Sequence, residues 1–427
     1  MNEVVTRAPR GIATIFGCWL AGLFAASLIS REESPSLAPL IALGLALSWP
    51  LIYFLLLGQT GVVNRNTPLR ITMIGGIVVF SGISVFVSPA IYTSLGYWVL
   101  NLAGIYIAVN FSARLDADAY AKGLRIYVLA MLPLLIGLAW YSYVPGARLG
   151  QLKGPLNPNA ISLVTMSVVV AACIFSNRPM RYALIAPGAV IIYLTGSRSS
   201  AVAVLMAFTI VFVLLQGRKG AVQMVLAAVI LAGTVSALVL AVPEAAKHVD
   251  QYFAINDKHR GIQSGAAGRV QTWEEVWDLA LDHPLTGVGL RAHEGLLKTN
   301  TSAHNGYLAT LAEIGFMGFV CVMALIVAGI VNLLRRQGDE QWLRVQAVLL
   351  GLAMGYMVLA LFERYLLNFG NPTSLLFLMA ILFPRVAAGT RHVEIQHGVK
   401  GETRAVLPDI RLAHDVGASY DISDDKS

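Results

Sequence analysis

Three ionisable side chains in the chain have types that suit group transfer from a phosphate leaving group: Arg198, Arg269 and His304. A guanidinium offers a fork of hydrogen-bond donors that matches phosphate oxygens, and it does not lose its charge. A histidine can accept a proton near neutral pH, which suits the activation of a hydroxyl nucleophile. Together they predict a site that holds an anionic phosphate ligand and activates a hydroxyl group.

Two of these residues also have purely structural interpretations that the sequence leaves open. Arg198 lies between two apolar runs, among Gly, Ser and Thr residues that would allow a ligand to approach closely. It could equally anchor a helix end at the membrane surface by extending its side chain to water. His304 stands just before an apolar segment, where a histidine can cap a helix without taking part in any chemistry.

Arg269 precedes a helical pattern in which Trp273, Trp277 and Ala280 are predicted to share one face. The helix macrodipole disfavours a cation at the helix N-terminus and favours an anion there. An arginine beside free backbone N–H groups therefore indicates an anionic ligand. The alternative is an interfacial helix with tryptophan anchors. Pro284 is expected to end this helix and to lead into a glycine-bearing turn.

Weaker candidates lie elsewhere in the chain. The polar turn from Lys153 to Asn159 is predicted to contact phosphate or sugar hydroxyls through these two side chains, although a plain turn explains it equally well. Glu313 falls inside an apolar segment, where a carboxylate requires a partner. No metal site is expected, because the scattered His248, His259 and His293 lack the spacing of metal ligands.

The composition is that of a membrane protein. Hydrophobic residues make up 56% of the 427 residues and charged residues only 13%, whereas soluble domains carry about 25% charged residues. The net charge of +7 does not indicate a nucleic-acid partner, because the basic residues are scattered between apolar segments. A topology signal explains that distribution better.

The sequence predicts an all-α polytopic membrane protein in contact with a phospholipid bilayer. Twelve apolar segments approach the length of about 20 residues that a spanning helix needs. They lie at 11–30, 36–58, 71–88, 91–111, 125–145, 160–177, 182–196, 199–217, 221–242, 306–334, 343–367 and 372–388.

The basic residues of the short loops predict the orientation. They concentrate in alternate loops, which places both termini in the cytoplasm of a bacterial inner membrane. The chain then divides into helices one to nine (1–242), a large periplasmic loop (243–305), helices ten to twelve (306–388) and a tail expected to be disordered (389–427). Three places put cations on the predicted outer side, against this trend: the pair Arg148 and Lys153, Arg198, and the large loop. Ionisable residues at membrane level indicate a substrate path.

Several segments together resemble the O-antigen ligase and polymerase superfamily of bacterial envelopes. The motif residues run from Gly268-Arg269 to Trp273, through His283–Gly289, and from His304-Asn305-Gly306-Tyr307-Leu308 to Glu313-Ile314-Gly315. Ser197-Arg198 and the Asn157–Asn159 turn are similar to the upstream motifs of that superfamily. The chain looks most like an O-antigen ligase of the WaaL type.

This resemblance implies a GT-C-like glycosyltransferase that needs no metal or cofactor. It would transfer a glycan from undecaprenyl diphosphate to a sugar hydroxyl of lipid A–core, with inversion. His304 would be the general base, and Arg198 and Arg269 would hold the diphosphate. Arg291 and Asn305 are secondary candidates for substrate binding. An O-antigen polymerase is the main alternative; a protein O-oligosaccharyltransferase and a lipid-linked glycan transporter are less favoured.

Overall fold

The computed structural model describes residues 11–29, 38–57, 68–154, 157–243, 269–298, 302–335, 338–364, 366 and 371–384. Residues 244–268 and 299–301 of the predicted large loop and the whole predicted tail lie outside these residues. The described part contains fourteen α-helices and no strand. Their bounds are α1 Ile12–Ile29, α2 Ala38–Leu57, α3 Pro68–Phe86, α4 Ile91–Arg114, α5 Ala117–Ser142, α6 Pro158–Ala171, α7 Arg178–Thr195, α8 Arg198–Gln216, α9 Arg218–Ala241, α10 Arg269–Asp282, α11 His293–Leu296, α12 Gly306–Leu334, α13 Glu340–Ala360 and α14 Pro372–Ile381.

The helical membrane architecture agrees with the predicted class. Seven of the described helices are long and apolar enough to cross a bilayer: α3, α4, α5, α8, α9, α12 and α13. The count of twelve spans stays a prediction. The last predicted span contains the short helix α14. This helix has ten residues, which is about 15 Å of helix. All ten of its side chains are buried.

Helix α13 lies inside the bundle and packs closely on α8 through small residues. A Cβ atom at Gly351 would lie 2.7 Å from Cγ2 of Val211 and 3.0 Å from the carbonyl oxygen of Ala207. One turn on, a Cβ at Gly355 would lie 3.3 Å from the carbonyl oxygen of Ala203. Small residues let two helix backbones approach each other, which is how helices associate inside a membrane.

One end of the bundle is closed around the residues that follow α14. Nη1 of the buried Arg70, in the first turn of α3, donates to the carbonyl oxygens of Leu382 at 3.3 Å and Phe383 at 3.1 Å. Nδ2 of Asn332, near the end of α12, donates to the carbonyl oxygen of Phe383 at 2.9 Å. This end therefore gathers segments that the sequence predicts to be cytoplasmic.

The predicted outer segments meet at the opposite end of α12. Oγ of Ser94, in the first turn of α4, donates to the carbonyl oxygen of Leu290 at 2.9 Å. Nδ2 of Asn159, in the first turn of α6, donates to Glu363 at 2.9 Å. The part of α12 that follows Gly315, residues 316–334, has 19 residues, which is about 28 Å of helix. The chain thus separates the two predicted sets of loops in space.

The predicted helix after Arg269 is present as α10, so Trp273, Trp277 and Ala280 lie on one side of it. Its buried residues are Thr272, Val276 and Ala280, whereas Trp277 is 48% exposed. The packing of α10 is therefore centred on Val276, to one side of the predicted face. Trp273 remains next to that face and contacts the chain just before His304.

We expect Gly351→Leu to lower the melting temperature of the detergent-solubilised protein, because the added side chain must push α8 away from α13. Overpacking of this kind costs about 1–3 kcal/mol. Gly137→Leu on α5 is the matched control, since a Cβ there meets no atom within 4 Å. Thermal unfolding of the two variants checks the prediction, and equal melting temperatures would contradict the close approach of the two helices.

Candidate active site

The carboxylate of Glu363, just after α13, is a meeting point for three of the predicted site residues. Its Oε2 lies 3.4 Å from Nδ1 of His304. Its Oε1 lies 3.4 Å from Nη2 of Arg269 and accepts a hydrogen bond of 2.9 Å from Nδ2 of Asn159. Glu363 itself is only 8% exposed. The fold therefore brings together Asn159, Arg269 and His304 around one buried carboxylate.

Local structure holds His304 in place next to this carboxylate. Nε1 of Trp273 on α10 donates to the carbonyl oxygen of Ala303 at 2.9 Å, which ties α10 to the residue before the histidine. His304 has φ +45°, a left-handed conformation that is strained for a residue with a side chain and that tends to occur at functional sites. Its side chain is 44% exposed, so a ligand can reach the imidazole.

Asn305 has a structural role in this arrangement. Its Oδ1 accepts hydrogen bonds from the backbone N–H groups of Tyr307 at 3.0 Å and Leu308 at 3.1 Å. It therefore caps the N-terminus of α12, and His304 is the residue just before the cap. The predicted substrate contact of Asn305 stays a prediction.

Arg148 connects the Glu363 carboxylate to the start of α8. Its Nε donates to the carbonyl oxygen of Thr195 at 2.7 Å, and its Nη2 lies 3.4 Å from the carbonyl oxygen of Gly196 and from Oδ1 of Asn159. Asn159 also binds Glu363. Its amide side chain therefore connects Arg148 with the carboxylate that Arg269 contacts.

Arg198 is the first residue of α8 and lies next to these contacts. A hydrogen bond of 2.8 Å joins Oγ of Ser200 to Oγ of Ser162, which fixes the first turn of α8 against the first turn of α6. Arg198 is thus positioned by the same segment that binds Arg148. We call this group the arginine corner: Arg148, Asn159, Arg198, Arg269, His304 and Glu363.

The arginine corner carries an excess of positive charge. Arg269 contacts the one carboxylate, Arg148 reaches it through Asn159, and Arg198 adds a third positive charge at the start of α8. Guanidinium groups bind phosphate through paired, charge-assisted hydrogen bonds. The corner therefore suits an anionic ligand larger than the single carboxylate it already holds.

Lys153 does not belong to this group by its observed contact. Its ammonium lies 4.6 Å from the ring centroid of Tyr141, on an exposed turn. That cation–π contact holds the lysine side chain against Tyr141, near the end of α5. Its predicted contact with a phosphate or sugar stays a prediction.

A second set of charges surrounds Glu313, the buried carboxylate that required a partner. Nη2 of Arg364 forms an ion pair with its Oε1, and Nδ1 of His293 lies 2.8 Å from the same oxygen. The backbone N–H of Arg291 donates to that oxygen at 3.0 Å. Glu294 completes the group, since its Oε1 lies 2.7 Å from Nη1 of Arg364 and 3.3 Å from Nη1 of Arg291. We call these five residues the Glu313 network.

The loop after α10 is fixed to α12 at a break in that helix. Gly315 has φ +71° and ψ 176°, a conformation restricted almost entirely to glycine. The backbone N–H of Phe316 donates to the carbonyl oxygen of Pro284 at 2.7 Å, and that of Gly289 donates to the carbonyl oxygen of Glu313 at 3.0 Å. A Cβ at Gly287 would overlap the backbone of Glu313. The loop thus satisfies backbone groups that the break leaves without helical partners.

The comparison with protein families identifies the segment that contains these features. A family described as O-antigen ligase matches residues 183–323. The matched segment covers 141 of the 427 residues. It runs from α7 into α12 and includes Arg198, Arg269 and His304. No curated protein matches the chain.

Glu363 and Arg364 lie outside the matched segment and were not predicted as site residues. The only sequence signal was a pair of adjacent ionisable residues near the end of an apolar segment. That signal is weak, because such residues often lie at a helix end facing water. Glu363 contacts His304 and Arg269, which lie 59 and 94 positions earlier in the sequence. Such contacts follow from the fold and not from a local pattern.

We expect Arg364→Met to destabilise the protein by about 3–5 kcal/mol, since it leaves the buried Glu313 carboxylate without its ion-pair partner. Arg344→Met, on α13 before Arg364, is the matched control. Arg344 pairs at 2.9 Å with Glu340, whose side chain is 86% exposed, and a pair of that kind contributes only about 0–1 kcal/mol. Denaturant unfolding in detergent measures both, and a loss of similar size for the two variants would contradict a structural role for the Glu313 pair.

Proposed function

We propose that this protein is an O-antigen ligase that transfers a glycan from undecaprenyl diphosphate to a sugar hydroxyl of lipid A–core, with inversion at the transferred sugar. The superfamily match supports a glycosyltransferase of this kind. The observation that carries the proposal is the convergence of His304 and Arg269 on Glu363. It puts a proton acceptor beside a positively charged corner suited to a diphosphate.

His304 is the general base of the proposed reaction. Its Nδ1 faces Glu363, so Nε2 is the ring nitrogen directed towards the acceptor. As the acceptor oxygen bonds to the anomeric carbon of the donor sugar, its proton moves to Nε2. Proton transfer of this kind contributes about 10²–10⁴-fold to a rate. Glu363 positions the ring and stabilises the positive charge that forms on it.

Arg198 and Arg269 bind the diphosphate of the donor. When the bond between the anomeric carbon and the phosphate oxygen breaks, its electron pair leaves with the diphosphate. Guanidinium groups placed on that leaving group stabilise the growing negative charge. Removal of one such donor costs about 2.7–4 kcal/mol in other enzymes. The acceptor attacks from the face opposite to the diphosphate, which gives inversion.

The proposed location is the bacterial inner membrane, with the arginine corner facing the periplasm and both termini in the cytoplasm. The separation of the two sets of loops to opposite ends of α12 supports this orientation, because the basic short loops then share one side. The lipid carrier and the lipid acceptor would both reach the corner from the outer leaflet.

Reconstitution tests the proposal directly. Purified protein is mixed with lipid-linked glycan and lipid A–core, with EDTA present, and the products are separated on a gel. We expect glycan on lipid A–core despite the chelator. Longer glycans on the lipid carrier, with none on lipid A–core, would instead identify a polymerase. Transfer that disappears with EDTA would contradict the metal-independent mechanism.

We expect Arg198→Ala, Arg269→Ala and His304→Ala each to reduce the rate of transfer by at least about 10²-fold, because each removes a group that stabilises the transition state. Arg178→Ala is the matched control. Arg178 is exposed at the start of α7, at the end predicted to be cytoplasmic. The initial rate with both substrates saturating measures the effect. Near-normal rates in all three variants would refute the assigned roles.

We expect Glu363→Gln to lower kcat about 10- to 100-fold while changing the KM for the donor much less, because it weakens the action of His304 as a base. If Glu363 supported only the fold, Glu363→Gln would instead reduce the yield of folded protein. Glu340→Gln is the control, since Glu340 is a surface carboxylate at the other end of α13. Steady-state kinetics on folded, monodisperse protein separate these outcomes, and an unchanged kcat would remove Glu363 from the mechanism.

A further inference from the structure

One side of α10 carries apolar side chains that do not pack on α12. Trp277 and Leu281 are four residues apart, so they lie next to each other on the helix surface. Leu285 follows the end of α10 at the same spacing. Leu281 is 59% exposed and Leu285 is 70% exposed. We call Trp277, Leu281 and Leu285 the α10 stripe.

The α10 stripe is distinct from the buried side and from the charged side of the helix. On the buried side, Val276 packs in one apolar cluster with Ala309 and Ala312 of α12. The charged side carries Asp278 and Asp282, which are both exposed. At 3.6 residues per turn, Trp277 and Leu281 point between these two sides. The exposed surface of α10 is therefore itself amphipathic.

The α10 stripe ends where the membrane-spanning part of α12 begins. The hydrogen bond from Phe316 to Pro284 sets Leu285 beside the first residue after the break in α12. Residues 316–334 carry no charged side chain. Their helix length of about 28 Å matches the hydrocarbon layer of a bilayer, which is about 30 Å thick. Phe316, and with it the backbone of Leu285, therefore lies at an edge of that layer.

The exposed side of α12 continues this apolar surface along the span. Phe316, Val320, Val327 and Val331 are all exposed. Their spacings of four, seven and four residues put them on one side of the helix. Because α12 is long and apolar enough to cross a bilayer, this row faces lipid. The α10 stripe meets the row at Phe316, so the two form one continuous apolar surface.

We propose that α10 lies in the interfacial layer of the membrane and that the α10 stripe inserts into lipid. Amphipathic helices bind membranes in this way, with the apolar side buried about 5–10 Å into the boundary between headgroups and acyl chains. Tryptophan is enriched at that boundary, and Trp277 supplies one. Asp278 and Asp282 face water. The continuity with the lipid-facing row of α12 favours lipid over a second protein chain as the partner.

The lipid contact sets the height of Arg269 in the membrane. Arg269 begins α10, eight residues before Trp277, which is about 12 Å along the helix. A helix that lies along the membrane surface keeps both residues near the lipid headgroups. In the proposed function, this is the level of the diphosphate of the lipid carrier. An anionic ligand at Arg269 and an interfacial helix, which are alternatives in the sequence, are therefore compatible in the structure.

Spin labelling of the full chain in nanodiscs of phosphatidylethanolamine and phosphatidylglycerol measures where the α10 stripe lies. The three native cysteines are first replaced by alanine. Single nitroxide labels are then attached on the stripe through Trp277→Cys, Leu281→Cys or Leu285→Cys. Asp278→Cys and Asp282→Cys are the matched controls, since each is the neighbour of a stripe residue and is also exposed. Collisions of each label with oxygen and with a water-soluble nickel complex are measured by power saturation.

We expect the ratio of oxygen to nickel collisions to be several-fold higher at the three stripe positions than at the two controls, because oxygen concentrates in lipid and the complex stays in water. Equal ratios would place the stripe in water and overturn the proposal. Low collision rates with both reagents at the stripe would show that protein covers it, which would also overturn the proposal. If one stripe variant does not fold, the other two decide. The measurement needs no glycan transfer, so its outcome is separate from that of the proposed function.

Discussion

Burial of charge just after α13 is the constraint on which the arrangement of the candidate active site depends. Glu363 and Arg364 are consecutive, both are 8% exposed, and each contacts a different cluster of opposite or polar groups. A buried charge is tolerated only when it is paired and hydrogen-bonded. The point at which α13 ends therefore sets the position of both the arginine corner and the Glu313 network. The tight contact between α8 and α13 fixes that point.

Much of this organisation could be predicted from the sequence, because it depends on local patterns. Apolar length indicated the helices, and the residue types of Arg269 and His304 singled out two of the side chains that meet at Glu363. The partners of these residues could not be predicted. Asn159 and Glu363 are 204 positions apart, and no periodicity links them. The exposure of Trp277 could not be predicted for a related reason, since the tertiary fold decides which side of α10 is packed.

The break in α12 shows how two sequence motifs become one structural unit. The glycine-bearing turn after α10 and the Glu313–Gly315 segment each look like an isolated feature in the sequence. In the structure the backbone groups released at Gly315 bind the turn, and the turn brings Arg291 to Glu313. Backbone without helical bonds is tolerated at membrane depth only where protein surrounds it. The same contacts that satisfy the backbone thus also position the side chains.

The contact between Arg70 and the residues after α14 has a consequence for how the protein is made. Ribosomes release the chain from its N-terminus, so α3 reaches the bilayer some 312 residues before the carbonyl groups that its guanidinium binds. During that interval the bonds to Leu382 and Phe383 cannot exist. The end of the bundle that contains Arg70 is therefore completed last, and a nascent chain that stops short of α14 lacks these hydrogen bonds at that end.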